Sequence, residues 1–475
     1  MVFSSAIFLF VFLPVVCALY FILPGIKTKN ILLIIASLIF YAFGEPVYVL
    51  LMISSIIFNY IFGLFEGKFS DSGSIVGKRI VLVLAVIVNI GMLCVFKYTS
   101  FILENVNYIG NLKIKIPAIA LPIGISFFTF QALSYVIDVY RNPELMQKNL
   151  FNLMLYVSFF PQLIAGPIIR YNEIANQINK RESTIDKTAE GIRRFIIGLT
   201  KKLIIANATG YVADAIFKLD ISDYNFIVAW VGAITYTLQI YYDFSGYSDM
   251  AIGMAKIFGF EFRENFNHPY SAKGIKDFWR RWHISLTTWF RDYIYIPLGG
   301  SRVGKWKSVR NTFIIFLVSG FWHGANWTFI CWGLFHALLF LPLLLTSSNR
   351  KYRGIVAEGK LLPSWKEAIQ IGTTFFLVVI GWILFRAENM EQAIGYIRRL
   401  FSMQQSTGNM PSHSLEVGLY ILLFWILEWF QRDKPYALQI QFLKSKSLRV
   451  AILTFVILFI EITMGKSSEF IYFQF

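Results

Sequence analysis

The sequence predicts an all-α polytopic membrane protein with about 10–12 transmembrane helices. Of its 475 residues, 56% are hydrophobic and only 15% are charged, whereas ordinary soluble domains have roughly 45–50% and 25%. Long stretches of the chain also lack any charged residue, and about 20 mostly apolar residues suffice for one membrane-crossing helix. Together these observations exclude disulfide-rich secreted modules, disordered tails and soluble nucleotide-binding folds.

The predicted crossings follow the apolar runs in chain order. Some runs are free of charge over their whole length, and shorter ones become spans if flanking polar side chains reach the membrane surface. The charge-free runs are 1–26, 46–65, 116–137, 149–169, 224–242, 311–349 and 368–385, and the shorter runs are 31–43, 80–96, 417–427 and 450–460.

The run 149–169 is predicted to be broken or re-entrant. It contains Pro161, Gly166 and Pro167, residues that interrupt helices within a membrane. The following loop, 170–194, carries six basic residues, which conflicts with simple alternation of sides if the run crosses fully.

The run 311–349 must turn or break, because 39 residues form a helix of about 58 Å, roughly twice the thickness of the hydrocarbon core. The densest cluster of helix-breaking residues within it is Ser319, Gly320, Gly324 and Asn326. We therefore expect two helices with a break in this cluster.

Basic residues set the predicted orientation. The formal net charge is +16, and 256–310 contains eleven Lys or Arg against four acidic residues. Loops rich in Lys and Arg remain in the cytoplasm, so this segment is predicted to face inward, as are 27–29, 68–79 and 141–148 if the amino terminus lies outside. We assign the charge to membrane orientation and predict no nucleic-acid partner.

Residues 275–293 are predicted to form one amphipathic helix. Apolar side chains recur at steps of three and four, and polar and charged ones fill the other face. Trp279, Trp282, Trp289 and Phe290 are expected at the headgroup boundary of the membrane. A simple interfacial anchor is the alternative to a functional role.

Two of the five histidines stand out. His323 lies in an apolar run between Gly320 and Gly324, and a titratable group at that depth is costly and points to function. His283 lies at the edge of the amphipathic stripe. His336 is interpreted as a hydrogen-bonded packing residue, and His268 and His413, in polar contexts, receive no role. A satisfied core histidine remains the alternative for His323.

Asp243 and Asp249 end the run 224–242, and we favour a structural role for both over a proton relay. The sequence has no phosphate-binding loop, no His-Glu-x-x-His zinc helix and no Gly-x-Ser-x-Gly elbow. No metal site and no bound cofactor are therefore predicted. Acid/base chemistry by a histidine in a membrane cavity is the class of chemistry that the sequence still supports.

Four motifs resemble those of the membrane-bound O-acyltransferases, most closely the bacterial alginate O-acetyltransferase type. They are Ala165-Gly166-Pro167-Ile168, Asp243-Phe244-Ser245-Gly246-Tyr247-Ser248-Asp249-Met250, the stretch from Phe278-Trp279-Arg280-Arg281-Trp282-His283 to Pro297-Leu298-Gly299-Gly300, and Trp322-His323-Gly324-Ala325-Asn326-Trp327.

The resemblance implies one transmembrane domain over 1–475, with its motif core at about 165–330 and a tunnel that crosses the bilayer. It implies acyl transfer from a cytoplasmic thioester, with acetyl-CoA as donor substrate, towards hydroxyls of an extracellular polysaccharide. A serine hydrolase-like extracytoplasmic partner, membrane lipid and a multi-pass location in the bacterial cytoplasmic (inner) membrane are further expectations. The alternatives are D-alanyl transfer to teichoic acid from a carrier-protein thioester, a lipid-linked sugar or acyl transporter, and a scaffold without turnover.

Residue by residue, the resemblance implies that His323 is the central catalytic histidine and His283 the second functional position. We expect Arg280, Arg281 and Trp282 to bind the donor, with Lys305 or Lys307 as further contacts for its phosphates. The residues expected to line the tunnel are Trp279, Trp322, Asn326 and Trp327.

Overall fold

The computed structural model describes residues 1–220, 225–346, 354–402, 411, 414–439, 443, 445–463 and 470–471. Within these ranges the regular structure is helical, and no strand is assigned. The prediction of an all-α membrane fold is confirmed.

Four helical segments in the described ranges are long and apolar enough to cross a membrane: Tyr48–Asp71, Ile75–Gly110, Trp327–Leu345 and Trp365–Arg386. Phe8–Ile22 is a shorter apolar helix. The total number of crossings stays a prediction, because several predicted runs fall in helices shorter than a span.

The backbone divides into two compact units. The first comprises 1–195 and 250–263. Its helices are α1 (Leu13–Ile22), α2 (Ile26–Ala42), α3 (Tyr48–Asp71), α4 (Ile75–Leu93), α5 (Thr99–Gly110), α6 (Ile125–Arg141), α7 (Leu150–Ser158), α8 (Phe160–Leu163), α9 (Tyr171–Asn179) and most of α10 (Ile185–Thr200). Inside this unit α3 packs on α4 and α6, and Asn59 and Asn89 exchange side-chain hydrogen bonds of 3.1 and 2.8 Å.

The second unit comprises 196–249 and 264–475. Its helices are α11 (Asn207–Phe217), most of α12 (Phe226–Ile257), α13 (Ile275–Arg281), α14 (Ile284–Phe290), α15 (Lys305–His323), α16 (Trp327–Leu345), α17 (Trp365–Arg386), α18 (Met390–Arg399), α19 (Ser414–Phe430) and α20 (Lys446–Thr463). Organisation as a single membrane domain stays a prediction.

Side-chain caps fix where several helices of the second unit begin. Asn326 accepts a hydrogen bond from Thr328 N and starts α16. Ser364 and Glu367 form a capping box at the start of α17, in which each side chain satisfies a backbone N–H of the first turn. These caps place the beginnings of the two helices that follow His323 in the chain.

Both predicted breaks are confirmed. In 149–169, helix α7 ends at Ser158, α8 is a single short turn ending at Leu163, and the chain then leaves the helical conformation. In 311–349, α15 ends at His323 and α16 begins at Trp327. The second break makes a helical hairpin with His323 at its bend.

The prediction of one continuous amphipathic helix over 275–293 was wrong. The chain forms two short helices, α13 and α14, and His283 between them has a φ of 42°, a left-handed conformation that no α-helix accommodates. Its aromatic residues are also not at an exposed membrane boundary, because Trp279, Trp282, Trp289 and Phe290 are buried in the protein. Aromatic packing inside the fold has therefore replaced the expected anchoring in headgroups.

Two glycines allow the hairpin helices α15 and α16 to pack closely. A Cβ built on Gly320 would collide with the Phe329 carbonyl oxygen, and one on Gly333 would collide with the Phe316 carbonyl oxygen. Small residues at such crossings let helix backbones approach within a membrane. The position of His323 thus depends on two residues without side chains.

Candidate functional site

His323 lies in an aromatic cage at the end of α15. Its side chain is buried, with 7% of the residue exposed. The ring centres of Trp322, Trp332 and Phe385 lie 4.8, 5.0 and 5.0 Å from its own, each at a steep angle. The bend of the hairpin and the cage together fix an imidazole among apolar rings.

His283 is held in the second buried position. It is 1% exposed, and its Nδ1 lies 3.2 Å from Asn265 Oδ1. The ring of Phe244 stands nearly perpendicular to the imidazole, with ring centres 4.6 Å apart. Burial among these groups lowers the pKa of His283 to about 3, so this ring is neutral at physiological pH.

One indole connects the two histidines. The Trp322 ring centre lies 6.3 Å from that of His283 and 4.8 Å from that of His323. The two family-motif histidines, forty residues apart in sequence, therefore border the same side chain. This juxtaposition places the two motif imidazoles in one aromatic wall of the second unit.

A pocket of about 920 Å³ lies beside this wall within the second unit. None of its lining residues is acidic, and four are basic. The lining residues are Lys276, Trp279, Arg280, Ile284, Leu286, Thr287, Thr288, Phe290, Arg291, Tyr295, Ser301, Gly304, Lys305, Ser308, Thr312, Ile315, Phe316, Ser319, Phe340 and Leu344.

The chemistry of this pocket is divided between charged, hydroxyl and apolar groups. Its basic residues suit phosphates, while the hydroxyls of its Ser, Thr and Tyr residues and its apolar side chains suit a chain of mixed polarity. Arg291 is bound to Asp292, with 2.6 Å between Nε and Oδ1, and this carboxylate raises the pKa of Arg291. The composition of the lining therefore suits an anion joined to a chain of mixed polarity.

The pocket approaches His323 through its own lining. Ser319 lies one helical turn before His323 on α15. Trp279 lines the pocket, and its ring centre lies 5.7 Å from that of Trp332, which in turn contacts His323. His323 itself is not among the lining residues, so one indole separates the lining residue Trp279 from the imidazole.

The remaining histidines have the following places. His336 is buried, and its Nδ1 accepts a hydrogen bond of 3.3 Å from Trp279 Nε1, as expected of a packing residue. His268 is buried rather than in an open polar loop, and burial lowers its pKa to about 4. His413 lies outside the described residues.

The three predicted donor-binding residues have different surroundings. Arg280 lines the pocket and contacts Asp277. Arg281 donates from Nε to Asp277 Oδ1 at 3.1 Å and does not line the pocket. Trp282 is 2% exposed and packs against Trp382 with ring centres 4.8 Å apart. Of these three residues, Arg280 alone lines the pocket.

The four residues predicted to line a tunnel are likewise dispersed. Trp279 lines the pocket, and Trp322 borders both motif histidines. Asn326 caps α16 and donates from Nδ2 to the Glu388 carbonyl oxygen at 2.8 Å. Trp327 is 52% exposed. The tunnel itself stays a prediction.

Asp243 and Asp249 form buried ion pairs with two consecutive lysines. Lys202 Nζ lies 2.8 Å from Asp243 Oδ1, and Lys201 Nζ lies 2.7 Å from Asp249 Oδ2. Asp243 Oδ2 also accepts the backbone N–H of Ile471 at 2.8 Å. The favoured structural role agrees with these contacts, although the partners are lysines rather than neighbouring hydroxyls.

Sequence reasoning missed Asn265, Trp332 and Phe385. Asn265 falls in a loop without periodicity, and Trp332 and Phe385 read as ordinary apolar residues of spans. No local pattern marks them, because each reaches its histidine only through the tertiary fold. Within the described part of the chain, no group of three or more His, Cys, Asp or Glu residues is placed to hold a metal ion.

Comparison with known proteins places these motifs in a family context. The family model described as MBOAT, membrane-bound O-acyltransferase family, matches residues 141–381. The chain is 43% identical to the probable alginate O-acetylase AlgI of Pseudomonas aeruginosa, over 90% of this chain and 81% of that protein. It is 38% identical to the peptidoglycan O-acetyltransferase of Helicobacter pylori, over 85% and 80%, and 33% identical to the teichoic acid D-alanyltransferase of Bacillus subtilis, over 55% and 68%.

Proposed function

This chain belongs to the membrane-bound O-acyltransferase family, and we propose that it moves an acetyl group from cytoplasmic acetyl-CoA towards hydroxyls of an extracytoplasmic polysaccharide. The observation that carries the proposal is the pocket with basic lining residues that runs beside the His323 hairpin. Alginate-type relatives match most of this chain, whereas the D-alanyltransferase relative matches little more than half. Acetyl transfer is therefore favoured over D-alanyl transfer.

The basic residues of the pocket suit the phosphates of coenzyme A. Arg280 presents a planar fork that binds phosphate oxygens in pairs, and Lys276 and Lys305 add point charges. Beyond them the hydroxyl and apolar lining suits the pantetheine arm, which alternates amides with methylenes. The thioester at its end then lies on the Ser319 side, towards the caged histidine.

His323 acts as general base in this proposal. It takes the proton of the acceptor hydroxyl while the oxygen attacks the thioester carbonyl carbon, the carbon–sulfur bond breaks, and the coenzyme A thiolate recovers a proton. General-base catalysis contributes typically about 10²–10⁴-fold to the rate. The first acceptor is the hydroxyl of a serine hydrolase-like partner, which passes the acetyl group to the glycan.

Release of coenzyme A by membranes that contain the full chain tests the proposal. Acetyl-CoA and an acceptor polysaccharide are supplied with and without the partner, and free thiol is measured. His323→Ala is expected to lower acceptor-dependent release by about 10²-fold or more, while His268→Gln, a second buried histidine outside the pocket lining, retains it. Retained release in folded His323→Ala protein contradicts the proposal.

The donor and the acceptor are tested separately in the same membranes. A D-alanyl carrier-protein thioester replaces acetyl-CoA in a parallel assay. Turnover with this thioester and none with acetyl-CoA identifies D-alanyl transfer as the reaction. Flux of an intact lipid-linked sugar without thioester consumption would instead support a transporter.

A further inference from the structure

The side chain of Asn265 has only one orientation compatible with its neighbours. Its Oδ1 accepts the backbone N–H of Ser285 at 3.1 Å and the Ser285 hydroxyl at 2.9 Å, and its Nδ2 donates to Ser248 Oγ at 3.1 Å. Since a backbone N–H can only donate, the atom that faces it must be the amide oxygen. Asn265 is fully buried, so water does not compete for these bonds.

This orientation determines which nitrogen of His283 carries the proton. His283 Nδ1 lies 3.2 Å from the same Asn265 Oδ1. Two lone pairs at that distance would repel each other, so Nδ1 carries the hydrogen and donates it. A neutral imidazole has one ring proton, and Nε2 is then a bare acceptor.

The bare nitrogen has no hydrogen-bond partner among the described residues. Phe244, Phe266 and Trp322 surround the ring, with ring centres 4.6, 6.4 and 6.3 Å away. Buried acceptors without a partner are rare and call for an explanation. Because Trp322 also borders His323, the explanation belongs to the reaction centre.

We propose that Asn265 is a positioning residue that holds His283 as the Nδ1–H tautomer, so that its Nε2 accepts a hydrogen bond from a hydroxyl of the acyl acceptor. The inference rests on the proposed acyl transfer for the identity of the hydroxyl. It does not rest on it for the tautomer, which the hydrogen bonds of Asn265 and Ser285 determine in the free protein. His323 remains the base that takes the proton.

Ser285 makes the inference testable, because its hydroxyl can donate a hydrogen bond to His283 Nδ1 and so favour the tautomer with the proton on Nε2. Its hydroxyl lies 3.4 Å from His283 Nδ1 but donates to Asn265 Oδ1. In Asn265→Leu that hydroxyl loses Asn265 Oδ1 as an acceptor, and Nδ1 of His283 becomes an alternative acceptor at 3.4 Å. A hydroxyl that donates to Nδ1 requires this nitrogen to be bare, so we expect the ring proton to move to Nε2. In Asn265→Asp a carboxylate oxygen still accepts from both residues and the tautomer is kept.

Nitrogen NMR of full-length protein with ¹⁵N-labelled histidine reads the tautomer directly, with His283→Gln used to assign the signal. The native protein and Asn265→Asp are expected to show a protonated Nδ1 and a bare Nε2, and Asn265→Leu the reverse. A protonated Nε2 in the native protein, or no change in Asn265→Leu, overturns the inference whatever the activity.

Kinetics of coenzyme A release provides the second readout. Asn265→Leu is expected to lower kcat by about 10–100-fold, with the KM for the donor within about twofold of the native value. Asn265→Asp should keep kcat within about threefold of the native value. Asn265→Leu/Ser285→Ala should recover part of the lost kcat, because the Ser285 hydroxyl that donates to Nδ1 is then absent. The control variant is Asn267→Leu in the same loop, which should keep the native kcat. Asn267 donates to the Arg281 carbonyl oxygen through its backbone N–H, and the substitution leaves that group in place.

The failure of this inference and that of the proposed function are distinct. If His323→Ala remains active, the proposed function fails, and the NMR result still decides the tautomer. If His323→Ala is inactive while Asn265→Leu in folded form has native kcat, the transferase stands and the role of Asn265 is refuted.

Discussion

At the scale of single residues, the pocket separates two lysines that sequence alone treats alike. Lys305 and Lys307 are two positions apart, both are exposed, and both belong to the predicted phosphate-binding group. Only Lys305 lines the pocket. A single charge at a solvated site contributes only about 0.2–1 kcal/mol to binding an anion. The difference between the two lysines should therefore appear in the affinity for the donor and not in the rate of the chemical step.

Lys305→Ala is expected to raise the KM for acetyl-CoA by about two- to fivefold with kcat unchanged. The matched variant Lys307→Ala should leave both constants unchanged. Initial rates at varied acetyl-CoA and two ionic strengths measure the effect, which should shrink at high salt because exposed charges are screened. Equal effects of the two substitutions would refute donor binding in this pocket.

Sequence identified His323 and His283 because each lies in a motif that resembles a known family, and glycines flank one of them. It did not identify Asn265, since an asparagine in an aperiodic loop has many ordinary uses. Arg281 and Trp282 were predicted to bind the donor because they lie with Arg280 in the basic segment predicted to face the cytoplasm. The side chains of the seven-residue helix α13 and of Trp282 after it point in several directions.

At the scale of helices, the α15–α16 hairpin shows how glycine spacing positions a catalytic candidate. Gly320 and Gly333 lie at the crossing, where backbone carbonyls occupy the space of a Cβ. Gly372 on α17 is a useful contrast, because a Cβ there meets no atom within 4 Å. The same substitution at the two kinds of site should have opposite effects on stability.

Gly333→Ala is expected to destabilise the protein by about 1–3 kcal/mol, because the helices must separate to admit the methyl group. Gly372→Ala should be neutral or stabilising by up to about 1 kcal/mol, since alanine favours a helix. Thermal unfolding in detergent measures both, and coenzyme A release should fall only in Gly333→Ala. Equal unfolding temperatures would contradict close packing of the hairpin.

Breaks marked by glycine and proline were predictable, and both occur where the sequence placed them. The break at His283 was not, because the apolar spacing of 275–293 continues through it. Backbone hydrogen bonds from loop residues decide this point: Ile284 N donates to the Asn265 carbonyl oxygen, and Asn267 N to that of Arg281. Hydrogen bonds between residues this far apart in sequence cannot be predicted from the apolar spacing of neighbouring residues.

At the scale of the whole molecule, the distribution of basic residues predicts which surface meets the cytoplasm. The pocket's basic residues all fall in 256–310, the segment whose excess of Lys and Arg over acidic residues predicts that it faces inward. A donor made inside the cell and a segment retained inside the cell would thus share one compartment. The fold class followed from composition, whereas the number of crossings did not, since many of the helices are shorter than a bilayer.

Cysteine labelling tests this orientation. In a variant without Cys17, Cys94 and Cys331, a single Lys307→Cys substitution should react with a membrane-impermeant maleimide in inverted vesicles and not in intact spheroplasts. Lys113 lies between the predicted crossings 80–96 and 116–137, and this loop is expected outside because 68–79 and 141–148 are predicted to face inward. Lys113→Cys should therefore show the reverse pattern. Labelling of Lys307→Cys from outside would place the pocket away from cytoplasmic acetyl-CoA.

The paired lysines and aspartates of the second unit have a consequence for biogenesis. An aspartate in the centre of a lone helix costs about 2.5–3.5 kcal/mol during insertion by the translocon, and α12 contains two of them, Asp243 and Asp249. Lys201 and Lys202 leave the ribosome first and can neutralise both. Since the charge-free run 224–242 predicts a crossing, we expect the insertion of α12 to depend on Lys201 and Lys202 remaining nearby, because the loss of either lysine would leave a buried aspartate without its ion-pair partner.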